Sequence, residues 1–155
     1  MNRVVSILFW VIVSLIVGYL SSFFQTLSSS EWYDSLQRSS LTPPDWLFPV
    51  AWTILYILMG IAAGLMWRVR SVFTRFLNVV FIVQLALNFL WTFFFFYLQS
   101  PLLAFIDLLL LDIVALLFFL GAFFVYRPSA WLFVPYMMWL LFASYLNWYI
   151  VAYNV

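Results

Sequence analysis

The side chains with chemistry to offer are aromatic, and they recur at helical spacing. Trp46, Pro49, Trp52 and Tyr56 follow at steps of three and four, so a helix would carry them on one face. Gln84, Asn88, Trp91 and Phe95 form a second stripe, and Trp139, Phe142, Ala143, Leu146 and Asn147 a third. Indole and phenol rings offer a flat ligand stacking contacts worth about 0.5–1.5 kcal/mol per pair beyond burial. The amides add hydrogen bonds, and indole is readily oxidised. Composition excludes most other chemistry. There is no His and no Cys, so the commonest general base, thiol nucleophiles, disulfides and thiolate metal sites are missing. There is no Lys for a Schiff base or a P-loop. No nucleophile–base pair and no metal-ligand cluster stands out, and a net charge of +1 gives no reason to expect a nucleic-acid partner.

These stripes must be positioned by membrane-spanning helices. Of the 155 residues 68% are hydrophobic and only 7% charged, too few charges to cover a water-soluble surface. Runs near the 20 apolar residues that a span requires lie at about 4–24, 44–67, 76–98, 102–126 and 130–153. The predicted fold is therefore an all-α integral membrane protein, one domain over residues 1–155 built as a bundle of five transmembrane helices. The first run exceeds the apolar core of a signal peptide and no Ala-x-Ala-like site follows it, so it is expected to be retained. Pro43-Pro44 closes a long polar loop over about 25–43 and is expected to open the second helix. Ser100-Pro101 and Arg127-Pro128 separate the later spans. With five spans, Arg3, Arg68, Arg70, Arg75 and Arg127 share one side and Arg38 alone lies on the other. The positive-inside rule then puts the N-terminus in the cytoplasm and the 25–43 loop on the far side. In that arrangement the three stripes, and Asp107 in the fourth span, all fall at the depth beneath the long loop. A pocket lined by aromatic residues and a few amides follows.

Several of these residues have a plainer reading. Trp32, Tyr33, Trp46, Trp148 and Tyr153 also suit an interfacial belt. Trp52, Trp91 and Trp139 sit deeper, where lining a pocket competes with simple helix packing. Asn88 and Asn147 fit interhelical hydrogen bonding as well as ligand contact. Gly60 and Gly64 form a small-xxx-small pair, expected to serve an internal crossing in preference to a dimer contact. Asp112 falls on a different face from Asp107, where only neutral amides or hydroxyls are expected beside it.

The segments Trp32-Tyr33-Asp34-Ser35-Leu36, Pro43-Pro44-Asp45-Trp46 and Trp52-Thr53-Ile54-Leu55-Tyr56 resemble the translocator protein family (TspO/MBR, the peripheral-type benzodiazepine receptor family). Gln84 to Trp91, Asp107-Leu108-Leu109-Leu110, Val134 to Trp139 and Leu146-Asn147 extend the resemblance in the family's order and spacing, from about residue 31 to 150. The resemblance implies five transmembrane helices, a ligand pocket under the first loop and frequent homodimers. It also implies a receptor- or transporter-like role in binding tetrapyrroles such as protoporphyrin IX or haem, with no further cofactor required. Carried over by position, the pocket uses Tyr33, Trp52, Tyr56, Asn88, Trp91, Trp139, Phe142, Ala143 and Leu146. Two departures stand out. Leu41 occupies a place where the family often has Trp, and no base follows Leu146 and Tyr149, so the expected partners are porphyrin and membrane lipid, with sterol disfavoured.

The resemblance further implies an alternative activity, light-dependent porphyrin breakdown, in which Trp52 and Trp139 match the implicated pair and the ligand is its own photosensitiser. A structural or sensory membrane protein whose pocket holds lipid or sterol is the remaining alternative. A short chain without a transit peptide points to a bacterial cell membrane. Because the chain has no native Cys, single-cysteine labelling tests the topology. A Ser29→Cys probe is expected to react from the non-cytoplasmic side of sealed vesicles. Labelling only from the cytoplasmic side overturns the orientation.

Overall fold

The computed structural model describes residues 2–28 and 30–155; the Ser29 labelling position lies outside them. Among the described residues five helices are long and apolar enough to cross a membrane. Helix α1 spans Arg3–Leu27 and starts where the Asn2 side chain accepts the Val5 N–H at 2.9 Å. A short α2 covers Ser30–Ser35, α3 Leu47–Met66 and α4 Thr74–Thr92. Helix α4 continues as a π-helical turn over Phe93–Tyr97, closed by the Leu98 N–H on the Phe93 carbonyl at 3.0 Å. Helix α5 is Pro101–Val125 and α6 is Arg127–Asn154.

The predicted spans correspond to α1, α3, α4 with its π turn, α5 and α6, with two corrections. The second helix begins at Leu47, not at Pro44. The Pro44 carbonyl accepts the Leu47 N–H at 2.9 Å in a turn that precedes the regular helix. Pro49 is the proline held in the first helical turn, where its missing N–H has no intrahelical partner to lose. The last helix likewise starts three residues earlier than the expected residue 130, with Pro128 in its first turn. The polar loop is also more ordered than its composition suggests. Helix α2 is fastened by Trp32, whose ring centroid lies 5.6 Å from that of Phe95, and by Tyr33, 6.0 Å from Phe96.

Neighbouring helices close a ring in the order α1, α3, α6, α5, α4 and back to α1. Gly60 and Gly64 make the α1–α3 crossing, as expected for an internal contact. A Cβ on Gly64 would stand 2.5 Å from the Ile7 Cα, and the Ser6 hydroxyl donates to the Gly64 carbonyl at 2.9 Å. The Ser129 hydroxyl donates to the Ala62 carbonyl at 2.7 Å, tying α6 to the same end of α3. Arg3, Arg68, Arg70, Arg75 and Arg127 therefore gather at one end of the bundle, away from α2. Above them a core of Met59, Phe81, Phe118 and Phe133 is fully buried, while Leu8, Ile12 and Ile16 of α1 point outward. Outward apolar side chains are what a lipid solvent selects.

The crossing yields a stability test. Gly64→Ala pushes a methyl against backbone, which cannot move aside, and is expected to cost about 1–3 kcal/mol. Gly121→Ala meets only the flexible Leu77 side chain and is expected to cost less. Thermal unfolding of the two variants in detergent distinguishes them; equal losses would mean that the α1–α3 approach does not limit stability.

Candidate functional site

Beneath α2 and the following loop lies a cavity of about 820 Å³, enclosed by α1, α3, α4 and α6. Trp52 and Tyr56 reach it from α3, and Asn88 and Trp91 from α4. Phe95 joins from the π turn, Tyr33 from α2, and Trp139, Phe142, Ala143 and Leu146 from α6. The sequence points each of these ten residues to a pocket, although they are spread over more than a hundred positions. It points Trp46 there too, and that expectation fails: Trp46 is 67% exposed and outside the wall. Trp46 caps the start of α3, and its ring stands out from the surface of the bundle there. Asp107 is also outside the wall, buried on α5 with one carboxyl oxygen unpartnered among the described residues.

Trp52 is the centre of the aromatic arrangement. Its ring centroid lies 5.6 Å from Tyr56, 6.3 Å from both Trp91 and Trp139, and 6.4 Å from Tyr136. At the inner end of the cavity Tyr56 and Asn88 join a buried chain of polar groups. The Tyr56 hydroxyl donates to Asn88 Oδ1, Asn88 Nδ2 donates to the Tyr136 hydroxyl at 3.1 Å, and that hydroxyl donates to Gln84 Oε1 at 2.8 Å. This chain links α3, α4 and α6. Nearer the loop, Trp91 Nε1 donates to Asn147 Oδ1 at 3.0 Å while Asn147 Nδ2 donates to the Pro101 carbonyl at 2.9 Å. Asn88 and Asn147 thus act between helices and also face the cavity, so the two readings of these amides hold together. Asp112 has the neutral partner expected for it, the Ser144 hydroxyl donating at 2.6 Å.

At the mouth, the Arg38 guanidinium lies 4.6 Å above the Tyr33 ring and 3.6 Å from Asp34. Tyr33 and Asp34 line the cavity, so Arg38 stands directly behind its rim. The loop is pinned to the end of α6. Asn154 Oδ1 accepts the Gln37 N–H at 2.8 Å and its Nδ2 donates to the Gln37 carbonyl at 3.0 Å, while the Ser39 and Tyr145 hydroxyls pair at 3.1 Å.

The model of the TspO/MBR family matches residues 10–153, which spans every element of this site. The chain belongs to the TspO/MBR family. It is 39% identical over 142 residues to the tryptophan-rich protein TspO of Archaeoglobus fulgidus, covering 90% of this chain and 91% of that one. It is 42% identical over 144 residues to the tryptophan-rich protein TspO of Chlorobaculum tepidum, covering 90% of each. The translocator protein of Ovis aries is 34% identical over 134 residues, covering 84% of this chain and 79% of its own. With five helices of spanning length, this TspO/MBR member is a multi-pass membrane protein.

The aromatic stripes do not reveal the wall contributed by α1. Gly18, Ser21, Ser22 and Gln25 all face the cavity. Their steps of three, one and three on an otherwise apolar helix are a readable signal, the small and polar counterpart of the aromatic stripes. Gly18 is there for its missing side chain. A Cβ at that position would lie 2.5 Å from the Tyr56 ring, so only glycine lets that phenol lie against α1. Phe96, also in the wall, lies in the π turn, which sequence periodicity does not reveal, whereas Thr92 stands one ordinary helical turn beyond Asn88.

Proposed function

We propose that this TspO/MBR protein binds tetrapyrroles, porphyrin or haem, in the cavity beneath its first loop, and so takes part in their transport or regulation at a bacterial cell membrane with its N-terminus in the cytoplasm. The observation that carries the reading is the cavity itself. At about 820 Å³ it lies toward the upper end of the roughly 300–1,000 Å³ usual for small-molecule sites, and indole, phenol and phenyl rings dominate its wall. A porphyrin is a broad π-system with carboxylate tails, so it gains by stacking inside and by keeping its charges at the mouth. Arg38 supports the second requirement. An exposed ion pair such as Arg38–Asp34 is worth about 0–1 kcal/mol, so the guanidinium exchanges its partner for a propionate at little cost. The deep phenols of Tyr56 and Tyr136 are engaged by Asn88 and Gln84. Affinity is therefore expected to come from the ring face, with metal-free porphyrin binding about as well as haem.

A second reading, light-dependent porphyrin breakdown, is favoured by one contact pattern. Trp52 touches both Trp91 and Trp139, so a bound porphyrin would meet a connected set of oxidisable indoles. Titration of the detergent-solubilised protein with protoporphyrin IX, followed by tryptophan quenching in darkness, tests the binding reading; absence of saturable quenching overturns it. Ala143→Phe is expected to fill the space beside Trp139 and cost about 1–3 kcal/mol of binding, roughly a ten- to hundredfold rise in Kd, while the protein stays folded. Unchanged affinity would remove Ala143 from the contact surface. Under illumination, the Trp52→Phe/Trp139→Phe double variant is expected to bind in the dark yet lose porphyrin absorbance more slowly than the parent, because phenyl stacks but resists oxidation. Equal decay removes the photochemical reading and leaves binding.

A further inference from the structure

A second hollow lies on the outer, lipid-facing side of the α3–α6 contact. It measures about 410 Å³ and is formed by Ala51 and Ile54 of α3 with Pro135 and Met138 of α6. Its back wall is Trp139 and Phe142, the same two side chains that face the inner cavity. Two rings therefore divide the ligand cavity from the bilayer at this place.

The Trp139 ring is held loosely for a residue in that position. Trp91, the other large indole on the wall, is fixed by its bond to Asn147. Among the described residues the Trp139 indole N–H has no such partner, and the ring meets Phe48, Trp52 and Phe142 edge-on at centroid distances of 6.1, 6.3 and 5.8 Å. One helical turn before it stands Pro135, which has no N–H to give the Trp131 carbonyl, so the backbone ladder is interrupted next to the ring. The loop side is closed differently. There Gln37 and Ser39 are bonded to Asn154 and Tyr145, and a ligand entering past them must break those hydrogen bonds. Rotating Trp139 breaks none. Ile54 and Met138, 53% and 67% exposed, make the outer hollow a surface that lipid chains or a flat apolar molecule can cover.

We propose that the α3–α6 gap is a lipid-side route into the cavity, gated by the Trp139 ring, through which a flat amphipathic ligand dissolved in the bilayer passes edge-on. The cargo's identity rests on the tetrapyrrole reading; the route rests on the shared wall. A gate alters the barrier and leaves the end states alone, so a plug placed in the outer hollow must change both rates by one factor and leave Kd where it was.

The protein is reconstituted in phospholipid vesicles carrying protoporphyrin IX. Loading is followed by tryptophan quenching and release by transfer to porphyrin-free vesicles. Ala51→Trp and, independently, Met138→Trp fill the hollow from either helix at positions that do not themselves line the inner cavity. Each is expected to slow loading and release together, by about tenfold, at constant Kd. Val50→Trp, on the lipid surface outside both hollows, is expected to keep the parent rates. So is a Gln37→Cys/Asn154→Cys protein whose loop is locked by a short bismaleimide. Parent rates in both plugged variants, or loss of loading when the loop is locked, overturn the route while leaving porphyrin binding intact. A parent without saturable porphyrin binding overturns the tetrapyrrole reading and the route together.

Discussion

A polar group inside a bilayer has no water to turn to, and that constraint organises this protein more than any single contact. Each buried side chain able to hydrogen-bond must find its partner on a neighbouring helix or lose several kcal/mol. The chain from Tyr56 through Asn88 and Tyr136 to Gln84 satisfies this in the deep half of the cavity, and Trp91, Asn147 and the Pro101 carbonyl satisfy it nearer the loop. Apolar packing between helices gains little where the solvent is itself hydrocarbon. These two chains, with the close α1–α3 crossing at Gly60 and Gly64, therefore set which helices meet and at what height. The cavity is what remains when α3, α4 and α6 are joined by polar bonds at their inner edges and kept apart by indole rings above.

The same constraint explains what can be read from the sequence. Spans are visible because lipid demands long apolar runs, and the aromatic and amide stripes are visible because each is an exception on such a run. Ten of the eleven residues expected at a pocket meet at one cavity because helical spacing and depth along a span fix position almost completely. Trp46 fails for a local reason: it sits at the cap of α3, in the turn that the Pro44 carbonyl closes on the Leu47 N–H, and its ring is left exposed there. Helix α2 is illegible because six residues carry too little periodicity, and its order comes from rings that reach it from Phe95 and Phe96. The α1 wall is legible in Gly18, Ser21, Ser22 and Gln25, but among the described residues it has the single ring of Tyr19 and no aromatic stripe to draw attention to it.

The cavity wall is unequal in stiffness. Trp91 is clamped by a hydrogen bond, Tyr56 by two contacts of different kinds, the Asn88 amide and the bare backbone at Gly18. Trp139 and Phe142 are positioned by ring edges and apolar packing, with no hydrogen bond to the Trp139 indole among the described residues. A binding site for a rigid flat molecule benefits from this division, since the fixed rings define the slot and the movable ones admit the occupant.

The π turn at Phe93–Tyr97 carries a consequence for how such a slot changes over generations. A π turn is an α-helix that has taken in one extra residue. Deleting one residue there would return the turn to ordinary α spacing, and Phe95 and Phe96, both inside it and both on the wall, would lose their present places in a single genetic event. The ligand preference of this bundle can therefore be rewritten by a change of length as readily as by a change of side chain, and relatives with the same aromatic residues need not present the same surface.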